Sequence, residues 1–249
     1  WMENTLNMLF KEAKNNYDII YKTYKVLEKS YELKISIHTA GQWLLDNMYI
    51  IDEEYENIKD LTYLQYCDYL QNKYGIGLCD YMTKSWNKNK KVTRTNEGLI
   101  AHHKYEDHAI MLADKNYAQN NPFEWQLAKN IVYCDYLEHL FLHILICEYP
   151  ADDHNVDEAV GIGGVINFIV PELNDVYSGW EAKQGWRKTC HELIKEDKAV
   201  YLTLLKRFKT NCQNYPLYTE NCLLTSFNQP FGLWSKEKNQ KLYDEINAL

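Results

Sequence analysis

Residues 130–145, NIVYCDYLEHLFLHIL, set a problem of chemistry: a helix of leucines and isoleucines that also carries Glu138, His139 and His143. Imidazole and carboxylate groups are costly to bury without partners, so three of them on one short apolar helix imply either a polar network or a metal. His139 and His143 stand four residues apart and therefore share a helix face. Upstream, AHHKYEDH (101–108) supplies the adjacent pair His102 and His103, followed by Glu106, Asp107 and His108. Glu106 and Asp107 are read as surface charges or as groups with a secondary metal or hydrogen-bonding role, Glu138 as a local cap or ion-pair partner, and His108 as peripheral. His38, His154 and His191 stand alone and are read as structural or exposed. HLFLH (139–143) lacks the glutamate of the H-E-x-x-H peptidase helix, which disfavours a zinc peptidase.

The elements that must position these groups follow from periodicity. EGLIAHH (97–103) has the apolar content and leading glycine of a short strand, and IVYC after Asn130 has that of a second. Asp135 is the N-cap expected for the helix with Glu138, His139 and His143. Between the strands, NPFEWQLAKN reads as an inserted helix opened by Asn121 with Pro122 at its first position. The spacing predicts a long amphipathic helix within residues 2–35, a second from Thr39 to Ile58, and a third in DLTYLQYCDYLQNKYGIG, capped by Asp60 and stopped at Gly75 and Gly77. Past Pro150 an acidic connector contains GIGG, which lacks the Lys-Ser/Thr of a phosphate loop and is read as a turn. The segments around WRKTCHELIKEDKAVYLTLLKRF and SKEKNQKLYDEINAL complete the chain as helices.

In order, these pieces make strand, loop, strand and helix with polar residues at each junction. The residues His102-His103, Asn130, Glu138-His139 and His143 resemble the double-histidine motif of the HNH, or His-Me finger (ββα-metal), endonucleases. His139 falls nine residues after Asn130, and His143 four beyond it. The resemblance covers about residues 97–147, and the span from His103 to Asn130 is longer than in compact versions of the motif. It implies a mainly α (α+β) protein, with helical flanks around a small ββα-metal centre. The expected organisation is an N-terminal helical region (1–80), a nuclease core (81–150), and a C-terminal connector and helical region (151–249). By the same resemblance, His103 is the general base and Asn130 holds its ring in the right tautomer. His102 and His139 then bind one divalent metal, and His143 completes the metal site or contacts phosphate. Mg²⁺ or Mn²⁺ is expected first, with Zn²⁺ or Ni²⁺ also suited to imidazole.

TKSWNKNKKVTR (83–94) is the most basic stretch, and Lys88, Lys90, Lys91 and Arg94 are candidate phosphate contacts for a nucleic-acid substrate, DNA first and RNA second. The net charge of −8 argues against a simple nucleic-acid binder but not against local contacts of this kind. Seven cysteines without a C-x-x-C pair point to reduced thiols rather than a disulfide framework or a zinc ribbon. The start WMENTLNMLFKEAKNN lacks the layout of a secretory signal, and no run of eighteen apolar residues occurs, so a cytoplasmic protein without membrane contact is expected. The helices before residue 80 and after 180 are candidates for homodimer contacts or substrate recognition. An immunity or accessory partner is expected only for a toxin. AGQWLLDNMYIIDEEYENIKDL resembles a segment of membrane-bound cyclic glucan synthases, but it carries no reaction chemistry and is read as helix packing. The competing reading is a non-catalytic interaction protein whose histidines hold a structural metal.

Overall fold

The computed structural model describes residues 13–48, 61–228 and 236–249, and the chain divides into two compact units, one of residues 4–61 and one holding 62–249. In the first unit, α1 (Ala13–Glu32) is the described part of the helix expected over 2–35, and residues 39–48 form α2. Ile51 and Tyr55, expected on the second helix, lie outside the described residues.

The second unit begins with α3 (Tyr63–Tyr74). Its N-cap is Thr62, not Asp60, which lies outside the described residues. The Thr62 hydroxyl accepts from the Gln65 N–H while the Gln65 side chain accepts from the Thr62 N–H, so two otherwise orphaned donors are satisfied reciprocally. Gly75 ends the helix with φ of 82°, a conformation that favours glycine. This helix packs on the sheet and belongs with it: the Gln71 amide donates to the carbonyls of Lys129 (2.8 Å) and Ile131 (3.0 Å). The division between the two compact units falls at 61–62.

Strands β1 (Ile100–His103) and β2 (Ile131–Cys134) pair antiparallel, with Ile100 opposite Cys134 and His103 opposite Ile131. After β2 the chain turns directly into α4 (Tyr136–Glu148). Asp135 caps it by accepting from the Leu137 and Glu138 N–H groups, and Glu138 returns the bond to the Asp135 N–H. Glu138 also accepts from Lys73 and Tyr74, so its carboxylate serves the cap and α3. Residues around almost the whole of α4 are buried, as expected for a helix that is apolar on every side.

The connection between the strands holds one short helical turn, Lys115–Ala118, capped by Asp114, but NPFEWQLAKN is not an α-helix. Phe123–Gln126 and Ala128–Asn130 are two 3₁₀ turns separated by Leu127 in extended backbone. The Ala128 N–H that would continue a helix donates instead to Asp80 (3.0 Å). Beyond Pro150, GIGG is a turn only at Gly161, whose φ is 76°; Ile162–Gly164, a π-helical turn Val165–Ile169 and α5 (Val170–Tyr177) follow as one helical run against α4. Two further helices, α6 (Gly185–Glu192) and α7 (Lys198–Cys212), and α8 (Lys236–Asn247) complete the unit, with α7 packed on α4. The described residues are mainly helical, with one small two-stranded sheet among them. All seven cysteines are free, and no helix among the described residues is long and apolar enough to cross a membrane.

Candidate metal centre

Successive residues of a strand point to opposite faces, so the pair at the end of β1 parts. His102 turns toward α3 and α4, where its ring meets those of Tyr63, His139 and His143. His103 turns the other way, against Tyr81 at 4.4 Å between ring centroids, and both histidines are fully buried. One turn later Glu106 folds back: its Oε1 accepts from the His103 backbone N–H at 3.3 Å. From α4, His139 and His143 complete the group. Their Nε2 atoms lie 3.2 Å apart.

His102, Glu106, His139 and His143 each offer one donor atom, and these four atoms all lie within 4.8 Å of one another. Glu106 Oε2 is 3.5 Å from His102 Nδ1 and 3.2 Å from His143 Nε2. Donors held about 2.0–2.2 Å from a common metal stand roughly 3.0–3.5 Å apart, and the His102–Glu106, Glu106–His143 and His139–His143 distances fall in that range, within a group whose widest pair lies inside 4.8 Å.

The outward nitrogens of two rings are already engaged. The Tyr63 hydroxyl donates to the His103 carbonyl (3.1 Å), so its oxygen is left to accept from His102 Nε2–H at 2.7 Å. The Gly161 carbonyl can only accept, so His143 donates through Nδ1 at 3.1 Å. A neutral imidazole carries one N–H. The lone pairs of His102 Nδ1 and His143 Nε2 are therefore left facing the Glu106 carboxylate. Among the described residues, His102 Nδ1 and His139 Nδ1 are buried without a hydrogen-bond partner. Two nitrogen lone pairs and a carboxylate oxygen aimed at one point repel each other unless a cation lies between them.

The protonation states agree with a metal-ready group. Burial pushes the His102 pKa down to about 3, against the pull of Glu106 and with the help of His143 and His103. Burial also holds His139 well below the ordinary imidazole range, reinforced by His143 and His102. Burial works against the charge on Glu106, and only positive charge placed beside it, where His102, His103 and His143 face it, brings the carboxyl well below its usual range.

Of the residues singled out in the sequence, His102, His139 and His143 come together. His103 joins them through Glu106, whose Oε1 lies 3.3 Å from His103 Nδ1. Asn130 does not reach His103: its side-chain amide donates to the Glu124 carbonyl (2.7 Å), and its own carbonyl extends the strand pairing by accepting from the Lys104 N–H. Gln126 stands where Asn130 was expected. Its amide nitrogen donates to the Leu112 carbonyl, leaving Oε1 to accept from His103 Nε2–H at 3.3 Å. The longer strand connection is the physical reason, because it delivers a side chain from the 3₁₀ turn to the far side of His103. Lys88, Lys90 and Arg94 line a cavity beside Tyr81, whereas Lys91 is not among its lining residues.

Glu106 and Gln126 carry more of this site than their sequence context suggested. Glu106 follows His102 by four residues in a turn, a spacing that signals proximity and little else. The GIGG stretch also has a role at the site. A Cβ on Gly164 would lie 2.3 Å from His143 Cε1, so the glycine leaves the room the ring occupies, while Gly161 supplies the carbonyl that orients it. Comparison with protein-family models, with curated proteins and with solved structures finds no match to this chain, and the geometry above is what its function must be read from.

Proposed function

We propose that this protein is a metal-dependent phosphodiester hydrolase of the HNH (ββα-metal) kind acting on nucleic acid, with the metal held by His102, Glu106, His139 and His143. The observation that carries the reading is the convergence of four donors at the junction of β1 with α4, two of them with their outer nitrogens committed to Tyr63 and Gly161. Three imidazoles and one carboxylate suit Mn²⁺, Ni²⁺ or Zn²⁺ better than Mg²⁺, which prefers oxygen and water. Held by His102, Glu106, His139 and His143, a divalent cation would supply charge neutralisation for phosphodiester hydrolysis.

The chain's own residues handle the proton. Gln126 fixes His103 with its proton on Nε2, so Nδ1 is the basic atom. A proton taken up at Nδ1 is stabilised by Glu106 Oε1, 3.3 Å away. Glu106 thus links the acceptor of the proton to the metal group through its two oxygens.

The test is cleavage of plasmid DNA, single-stranded DNA and RNA with Mg²⁺, Mn²⁺, Ni²⁺, Zn²⁺ or EDTA, comparing the wild type with His103→Ala. Metal-dependent cutting that disappears in a folded, metal-loaded His103→Ala protein supports the reading. Absence of cutting with every metal overturns it.

A second reading is favoured by one specific observation: the four donors all come from the protein, and His102 and His143 are buried. Closed sites of this sort hold structural metals, whereas catalytic ones keep a position open. Under that reading the chain is a non-catalytic interaction protein, and removing the metal unfolds it rather than only silencing it.

A further inference from the structure

The basic segment before β1 folds onto the outer side of Tyr81 and meets α4 and α6. There Tyr81, Lys88, Lys90, Arg94, Tyr136 and Trp186 line an open cavity of 510 Å³ together with Thr93 and Ile100, and no carboxylate is among its lining residues. That volume falls within the range of about 300–1,000 Å³ typical of small-ligand pockets. Among the described residues, none forms an ion pair with Lys88, Lys90 or Arg94, whereas Lys73, Lys104, Arg187 and Arg207 each have a carboxylate partner. Three cations that share one cavity without a counter-charge repel each other, and an anion is what the cavity lacks.

The aromatic residues narrow the choice of anion. The Arg94 guanidinium lies over the Trp186 ring, 3.7 Å from its centroid, and Lys88 Nζ lies 5.7 Å from the Tyr81 ring. Trp186 is 40% exposed, which leaves ring surface open at the cavity. A guanidinium stacked on an indole still has its edge free to donate to phosphate. Cations along a groove interleaved with aromatic rings are the chemistry that binds unpaired nucleotides: phosphates meet the cations while bases stack on the rings or on an arginine plane. A duplex keeps its bases stacked inside and has no use for Trp186 or Tyr136.

We propose that this cavity is a subsite for an unpaired nucleotide, so that the strand bound next to the metal centre is single. Lys88, Lys90 and Arg94 take its phosphates, and Trp186 with Tyr136 takes a base. The cavity and the centre share a wall, since Tyr81 lines the one and packs on His103 of the other. The inference deepens the hydrolase reading and rests on it for the claim that the bound strand is a substrate; the binding itself is measured without metal.

The experiment is fluorescence anisotropy of a labelled ten-nucleotide oligothymidine with the full chain in EDTA, across a salt series, with unlabelled single strand and unlabelled duplex as competitors. The subsite requires saturable binding displaced by single strand and at least tenfold less well by duplex. The double variant Lys88→Gln, Lys90→Gln should weaken binding and flatten the slope of log K against log salt by about 0.7 for each phosphate that is no longer neutralised. Trp186→Ala should weaken binding at least several-fold at every salt concentration with the slope unchanged. Circular dichroism in the same EDTA buffer verifies that the wild type and the variants are folded. No binding, equal competition by duplex, or variants that bind as the wild type does would each overturn the subsite. A strand bound in EDTA but left uncut when Mn²⁺, Ni²⁺ or Zn²⁺ is added sinks the hydrolase and leaves the subsite standing. Cutting that proceeds while the cavity variants bind normally does the reverse.

Discussion

At the residue scale, the behaviour of each imidazole is decided by the atom on its far side. Tyr63 commits His102 to present Nδ1, and the Gly161 carbonyl commits His143 to present Nε2. Tyr63→Phe removes only the hydroxyl, so the ring packing stays while His102 loses its outer acceptor. Metal affinity should fall about 10–100-fold, as for other groups that orient ligands, when measured by competition with a chelating dye. An unchanged affinity would mean that His102 is not a ligand. Glu106→Gln should cost at least as much, since it removes the one negative donor. Gln126 and Asn130 make a second contrast. If Gln126 sets the His103 tautomer, Gln126→Leu lowers kcat with little change in KM or metal content, and Asn130→Ala leaves all three near wild type; the opposite pattern would return the role to Asn130.

At the scale of elements, the site depends on how three short pieces are held: the end of β1, the turn to Glu106, and α4. The helical run 162–177 matters because Gly164 yields to the His143 ring. Gly164→Ala sets a Cβ 2.3 Å from Cε1, so the ring or the run must move. Overpacking of this kind costs about 1–3 kcal/mol, and metal affinity should fall with stability. A fall in melting temperature with full metal affinity would show that His143 is dispensable. The same run is tied to α6 by a buried network in which Glu172 accepts from Arg187 Nε and His191 Nε2, each at 2.6 Å. Burial opposes the Glu172 charge, but His191 and Arg187 prevail and lower its pKa below the ordinary 4.5. A carboxyl with a depressed folded pKa contributes stability that is present above its unfolded pKa and lost as pH falls through the folded one. Stability measured in urea should therefore drop in the wild type as pH is lowered from about 4.5, and the drop should be shallower in Glu172→Gln; parallel curves would exclude Glu172 as the source.

Much of this scale was legible in the sequence. The strands before His103 and after Asn130, and the Asp135 cap, announce themselves by apolar runs and cap chemistry, and these alone bring His102, His139 and His143 toward one another. The 3₁₀ turns at 123–130 were not legible, because NPFEWQLAKN has the composition of a helix and is diverted by a tertiary bond from Ala128 N–H to Asp80. Gln126 could not be chosen over Asn130 without that diversion. GIGG reads locally as a turn, and its use as room for an imidazole exists only once α4 lies against it.

At the scale of the whole molecule, every residue argued to bind, orient or support the metal, from Tyr63 to Gly164, lies within 62–249, one of the two compact units. A chain of residues 62–249 should therefore fold, bind one metal per chain, and show the same affinity as the full protein. Its thermal melts with and without chelator would also separate the two readings of the centre. A ligand that binds only the folded state at a thousand times its Kd stabilises by about 4 kcal/mol, whichever reading holds. A hydrolase must nevertheless remain folded when stripped, with near-native circular dichroism and a lowered but cooperative melt, because the apolar faces of α3, α4 and α7 close a core of their own. A structural site would instead lose its cooperative transition on chelation, since three buried imidazoles and a carboxylate without their cation are a net cost to folding. If the 62–249 chain fails to fold or to bind, residues before 62 are required for the centre, and the independence of the two units fails with it.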